Sequence, residues 1–358
     1  MGLAARHIVA SFCDDPGEMP GPSAPRTARG GVDLGGTKIE AVVVNSRNRV
    51  LGAARRATPT SGEPAGVAEQ IIQAITEATG SAGIGTDGLL GVGVGSPGVV
   101  DPATGAVTSA RNLPGWEGRF ELGSVLASEL GTSVSVGNDV QVATEAEFKL
   151  GAGKPYKSLL GVFWGTGVGA GVILAGKPWV GRGGAGEIGH IVIVMDGARC
   201  PCGRRGCLEA YAGRAAMEAR ARKRLEKGER TDLFALMEEH GRTRLTSSIW
   251  ARALERGDKV ATKILDEAVA ALGAGIGSAV NLLDVEAVVI GGGLGVRFGK
   301  PFAKRIAAAM QPHLFNDNHP PDVRVAALGD LGGALGAALM ALRSRRPSQK
   351  RLQRDILR

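Results

Sequence analysis

The chain has 358 residues, enough for two ordinary domains with their own cores and too many for a disulfide-stapled miniprotein. Its composition is globular, 44% hydrophobic and 22% charged, and its 56 glycines follow no Gly-X-Y period, which excludes collagen. The net charge of +8 suggests an anionic partner, but residues 343–358 carry +6 and residues 214–230 another +4, so the rest is nearly neutral and no nucleic-acid groove is expected.

Residues 1–29 hold Asp14, Asp15, Glu18 and four prolines where a signal peptide needs an apolar core, and they read as a disordered leader. No apolar run reaches the roughly 20 residues of a membrane span, so no membrane partner is expected. From Gly30 onward, short β-branched runs punctuated by glycine predict strands over 42–44, 89–94, 134–136, 159–164, 172–174 and 287–290. Helix-period stretches lie among them over 67–79, 123–130, 140–150, 233–240 and 258–283. The alternation predicts an α/β fold.

One pattern occurs twice. Gly35-Gly36-Thr37 and Gly165-Thr166-Gly167 each place a hydroxyl among glycines at a predicted turn between two strands. Glycine lets backbone N–H groups approach a polyphosphate and the hydroxyl adds a donor. Either turn alone would serve merely to reverse the chain; the pair favours nucleotide binding. Neither is a Walker A loop, which needs Gly-Lys-Ser/Thr opening a helix.

The strongest local signal is His190 followed, after nine residues, by Cys200, Cys202 and Cys207. Three thiolates and one imidazole complete a tetrahedral Cys3His set, which favours a structural Zn2+ with no position left for a reactive water. Clustered cysteines in an enzyme-sized chain also point to a reducing, cytoplasmic setting. Glu187 and Glu209 flank this filled shell and are suited to accept hydrogen bonds from hydroxyls, though a surface glutamate is the default reading of either. Asn138-Asp139 sits between a strand and a helix. Asp139 is thus either an N-cap or a general base, and spacing alone leaves both open.

In their order, these segments resemble the ROK sugar kinases, bacterial glucokinases in particular. Asp33-Leu34-Gly35-Gly36-Thr37-Lys38 resembles the first phosphate turn, Gly95-Ser96-Pro97-Gly98 with Asn112-Leu113 the sugar-side loop, and Gly137-Asn138-Asp139 the catalytic segment. The run from Gly165 through Glu187-Ile188-Gly189-His190 resembles the family signature, Cys200 to Glu209 the zinc motif, and Gly291-Gly292-Gly293 the adenosine-side turn. The resemblance implies an actin-like (ribonuclease H-like) fold of two α/β lobes around a cleft. Residues 30–139 with a returning helix over 331–342 would form one lobe, and 140–330 with the zinc motif the other, leaving the leader and the basic tail 343–358 outside.

By the same resemblance the activity is ATP-dependent phosphorylation of a hexose, glucose first. Kinases for N-acetylglucosamine, N-acetylmannosamine, fructose or mannose, and a sugar-sensing regulator of the same fold, are the alternatives. Asp139 would take the sugar hydroxyl proton, the 6-hydroxyl for glucose. Asn112, Asn138, Glu187, His190 and Glu209 would hold other hydroxyls, His190 using its second nitrogen on zinc. Asp33 would position Mg2+ and ATP. Gly35, Gly36, Thr37 and Lys38, with Gly165, Thr166 and Gly167, would grip the phosphates, and Gly292 and Gly293 would face the adenosine. A homo-oligomer, dimer or tetramer, is expected.

Overall fold

The computed structural model describes residues 27–110 and 113–341. The described residues divide into two compact units, one within 27–146 and 330–341 and one of residues 147–329.

Unit 1 opens with β1 (Ala28–Leu34), β2 (Lys38–Val44) and β3 (Val50–Ala57), continues through helix α1 (Pro64–Ser81), β4 (Leu89–Ser96), the small β5 (Val99–Val100) and β6 (Val107–Thr108), helix α2 (Leu122–Leu130) and β7 (Val134–Asn138), and reaches helix α3 (Asp139–Leu150). Its sheet has the order β3-β2-β1-β4-β7, antiparallel on the β2 side of β1 and parallel on the β4 side. The apolar face of α1, with Val67, Ile71 and Ile75 fully buried, closes one core with Leu122 and Leu126 of α2.

In unit 2 the strands β8 (Leu159–Trp164), β9 (Val168–Leu174) and β10 (Lys177–Pro178) are followed by the zinc-motif loop. Then come helices α4 (Glu209–Ala212), α5 (Arg214–Glu226), α6 (Leu233–Glu239), α7 (Ser247–Glu255) and α8 (Lys259–Leu283), strand β11 (Ala287–Gly291), helix α9 (Gly292–Met310) and strand β12 (Asp322–Val325). The sheet order β10-β9-β8-β11-β12 repeats the first sheet: an antiparallel meander, then two parallel strands. Both glycine turns are therefore hairpins joining the first two strands of equivalent sheets.

The chain then returns to unit 1 as helix α10 (Gly332–Met340). It lies directly on β1 and β4 because two strand residues lack side chains. A Cβ on Gly31 would come within 2.1 Å of Ala334 O, and one on Gly93 within 1.8 Å of Ala337 O. The expected helix over 331–342 is shorter at both ends: Leu331 closes a 3-10 turn, and Leu342 lies outside the described residues.

Two sequence boundaries shift for physical reasons. The first strand starts at Ala28, inside the segment assigned to a leader. Arg29 is 2% exposed, with its guanidinium bonded to Asn45 O (3.0 Å) and Asn48 Oδ1 (2.6 Å). The break between units falls after Ala146 rather than after Asp139, because α3 is shared. Val142 packs with Ala337 and Met340 of α10, whereas Phe148 packs with Leu159, Ile173 and Val289. The buried Glu147 fixes this handover, accepting the N–H groups of Ala152 (2.8 Å), Ala327 and Leu328 (both 2.9 Å). Among the described residues no helix is long and apolar enough to cross a membrane. The tail 343–358 lies outside the described residues.

Candidate active site and metal centre

In unit 1 the Gly35–Thr37 turn is pinned by Gly35 N–H donating to Lys38 O (2.9 Å) and by Thr58 Oγ1 donating to Gly35 O (2.6 Å). Asp33, near the end of β1, is paired in register with Glu40 of β2. Lys38 Nζ lies 2.5 Å from Glu40 Oε2 and 3.7 Å from Asp330 Oδ2, and Arg55 also pairs with Glu40 and Asp330. Both cations pair with the same two carboxylates, Glu40 and Asp330. Burial, aided by the charges of Asp139 and Glu40, raises the Asp33 carboxyl from 3.8 to about 7.

A carboxyl that binds its proton more tightly when folded stabilises the protein below its ordinary value and stops doing so as pH rises through the raised one. In Mg2+-free buffer, the stability of Asp33→Asn relative to wild type should therefore increase between pH 4 and 7 and level off above. Urea midpoints of the two proteins across that range check this; parallel curves would contradict it. The surplus of carboxylate around Asp33 also makes the position suited to a divalent cation.

Asn138 and Asp139 both engage the first turn of α3. Asn138 Oδ1 accepts the N–H groups of Val140 and Gln141 (both 3.1 Å), so Asn138 caps α3. Its Nδ2 donates to Gly98 O (3.4 Å), tying the helix to the sugar-side loop and leaving one amide hydrogen for another partner. Asp139 is the first residue of α3 rather than its cap, and its Oδ1 accepts Val140 N–H (2.9 Å). Asn112 lies outside the described residues.

In unit 2 the turns at Gly165–Gly167 and Gly292–Gly293 are adjacent: a Cβ on Gly165 would lie 3.8 Å from Gly293 N. Glu209, at the start of α4, accepts Val168 N–H (3.0 Å) through Oε2. A Cβ on Gly167 would come within 2.2 Å of that oxygen, so any side chain there would displace the carboxylate from Val168 N–H. The turn is mounted on α5, whose Arg214 and Ala215 N–H groups donate to Gly165 O (3.1 Å) and Thr166 O (3.2 Å).

The four metal-ligand candidates come together: donor atoms of His190, Cys200, Cys202 and Cys207 all lie within 4.8 Å of one another. The loop is closed by single bridges between Val192 and Cys207 and between Arg199 and Arg205, and by Tyr211 Oη accepting Ala198 N–H (2.8 Å). Cys202 Sγ is 3.7 Å from Cys207 Sγ. Zn–S bonds of about 2.3 Å in a tetrahedron give an edge of about 3.8 Å, so the donors fit that ion in type and spacing. Burial pushes the Cys200 thiol up to about 12, so a bound cation has a proton to displace and affinity falls with pH. His190 Nδ1 faces Cys200 Sγ (3.9 Å), while Nε2 lies 3.9 Å from Glu187 Oε2. One imidazole nitrogen thus belongs to the cluster and the other to the glutamate side.

Sequence reasoning missed Glu40, Arg55 and Asp330 around Lys38, and Arg214 behind Thr166. Arg55, Asp330 and Arg214 lie far from these turns in the chain and spacing carries no trace of them, whereas Glu40, two residues from Lys38 on one strand face, could have been found from strand alternation.

The profile of the ROK family matches residues 29–344. The chain belongs to the ROK family. A glucokinase of Streptomyces coelicolor is 33% identical to it over 315 residues, 87% of this chain and 96% of the relative. The solved structure of a ROK family glucokinase from Streptomyces griseus, in complex with glucose and AMPPNP, superposes with a TM-score of 0.76 at 31% identity, covering 88% of this chain and 99% of that one. The N-acetylgalactosamine kinase AgaK of Shewanella sp. is 32% identical over 325 residues, 87% of this chain and 95% of the relative. The actin-like ROK fold expected from the sequence is the fold found, with a Cys3His cluster compatible with zinc.

Proposed function

We propose that this ROK family sugar kinase transfers the γ-phosphoryl group of ATP to the 6-hydroxyl of glucose, with Asp139 as general base. The observation that supports the reading is the setting of Asp139 at the start of α3, where it shares the Val140 N–H with the capping Asn138 and stands close enough to Asp33 for its charge to raise that carboxyl. Asp139 accepts the hydroxyl proton as the phosphoryl group is transferred. Asn138, Glu187, His190 Nε2 and Glu209 hold the remaining hydroxyls, with Asn112 a further contact.

Gly35, Gly36, Thr37 and Lys38, with Gly165, Thr166 and Gly167, hold the phosphate chain, and Gly292 and Gly293 face the adenosine. Asp33 would hold Mg2+, which when bound neutralises phosphate charge. Phosphoryl transfer needs little covalent help from protein, so alignment and charge neutralisation account for most of the rate. His190 Nδ1 and the three cysteine Sγ atoms would hold a structural Zn2+. We place the protein in the cytoplasm as a dimer or tetramer; Trp179, Val180 and Met195 are exposed apolar side chains of the kind a second copy covers.

The second reading is a kinase for an N-acetylhexosamine, favoured by the likeness to the Shewanella enzyme. A coupled ADP-release screen across hexoses and N-acetylhexosamines, with ATP and polyphosphate as donors, separates the two. The highest kcat/KM is expected with glucose and ATP. A preference for an N-acetylated sugar would select the second reading, and polyphosphate use without ATP use would overturn the donor.

A further inference from the structure

Arg214 is the one arginine of α5 whose charge the fold leaves uncompensated. Arg220 and Arg224 pair with Glu267, and Arg222 with Glu218. Arg214 is half-buried and forms no ion pair among the described residues. Its charged neighbours are Arg244, which repels it, and Glu218, which is already bonded to Arg222 (2.7 Å) and to Leu245 N–H (2.9 Å). Its guanidinium instead donates to a neutral acceptor, Thr166 Oγ1, at 2.8 Å.

That bond fixes a hydroxyl. A threonine oxygen that accepts from arginine has its own proton to give elsewhere, and Thr166 is exposed at the tip of the β8–β9 turn. The turn's carbonyls are already taken by the N–H groups of Arg214 and Ala215. What the tip presents outward is an oriented O–H with a guanidinium behind it, beside the Gly292–Gly293 turn. This combination suits a phosphate oxygen, because the hydroxyl donates to it while the charge complements it from short range.

We propose that Arg214 is a positioning residue for the phosphate chain of the bound nucleotide, acting through Thr166. The inference rests on the reading of the protein as an ATP-using kinase. It accounts for the partially desolvated, unpaired cation at this turn, which a purely structural role leaves as a net cost.

The test is calorimetric binding of a non-hydrolysable ATP analogue with Mg2+, of adenosine and of glucose to the full-length, zinc-replete protein. Wild type is compared with Arg214→Ala, Arg214→Lys, Thr166→Val and the double variant Arg214→Ala/Thr166→Val. Arg214→Ala is expected to weaken the ATP analogue about ten- to hundredfold while adenosine and glucose bind as in wild type. Arg214→Lys should recover part of the loss. The double variant should bind little worse than Thr166→Val alone, because Arg214 acts through that hydroxyl.

Unchanged binding of the analogue to Arg214→Ala, or an equal loss for adenosine, would overturn the role of Arg214 while leaving the kinase reading intact. Wild type that binds neither nucleotide analogue nor adenosine would overturn both.

Discussion

Asp139→Asn should lower kcat by about a thousandfold, the range a positioned general base supplies, with the affinity for glucose within a few-fold of wild type. The variant should also unfold at nearly the wild-type temperature, because Asn138 Oδ1 still accepts the N–H groups of Val140 and Gln141, and an amide oxygen at position 139 can still accept Val140 N–H. Asparagine keeps the shape and can still accept a hydrogen bond, so what it loses is the ability to take a proton. Steady-state turnover with saturating ATP, together with calorimetric glucose binding, reads both parts. A folded variant with wild-type turnover would show that the proton leaves by another route. A variant that unfolds early would show that the carboxylate had a structural duty after all.

Chelation should be nearly as damaging, for a different reason. Cys207 is fully buried and Cys200 almost so, and the loop they close has only isolated bridges in place of a sheet. Metal binding supplies about 10–16 kcal/mol in zinc-finger peptides, where it is the folding energy of the module. Here it would act on the loop that presents Glu187, His190 and Glu209, so its loss should abolish sugar binding before it unfolds the rest of unit 2. The expectation is one Zn2+ per chain by elemental analysis, loss of glucose binding on chelation, and recovery on adding zinc back. Cys207→Ser should behave as the chelated protein does. Metal-free protein with full glucose affinity and an unchanged melting temperature would contradict the assignment.

Much of this was legible in the sequence because it is local. The strand over 159–164 is found as read, since a continuous apolar run ending in Gly165-Thr166-Gly167 marks both a buried strand and its hairpin. The helix over 258–283 was misread by one residue only: Asp258 is its cap, accepting Ala261 N–H at 2.9 Å. The Cys3His set was legible because three of its ligands fall within eight residues.

What was illegible depends on contacts between distant segments. Asp139 read equally as a cap or a base, and spacing gave no sign that Asn138 Oδ1 takes the N–H groups of Val140 and Gln141. Nothing in the spacing reveals that Asp330 approaches Lys38 and Arg55, or that Glu147 ties α3 to Ala327 and Leu328. The boundary of the units was misplaced for the same reason: a shared helix shows no composition change where its packing partner changes.

The charge arithmetic gains a structural basis. The basic helix α5 looked like one of two cationic segments, yet Arg220, Arg222 and Arg224 spend their charge on Glu267, Glu218 and Glu229. Such pairs contribute little stability when exposed. Arg214, the exception, stands behind the Thr166 turn.

The central claim, that this ROK protein phosphorylates a hexose at the expense of ATP, is tested most directly by the product. Zinc-replete protein incubated with Mg2+, ATP and glucose should yield glucose 6-phosphate by phosphorus and carbon NMR, one ADP for each sugar phosphate. Formation of no phosphate ester with glucose or with any other hexose or N-acetylhexosamine, under conditions where the protein is folded and metal-loaded, would contradict it.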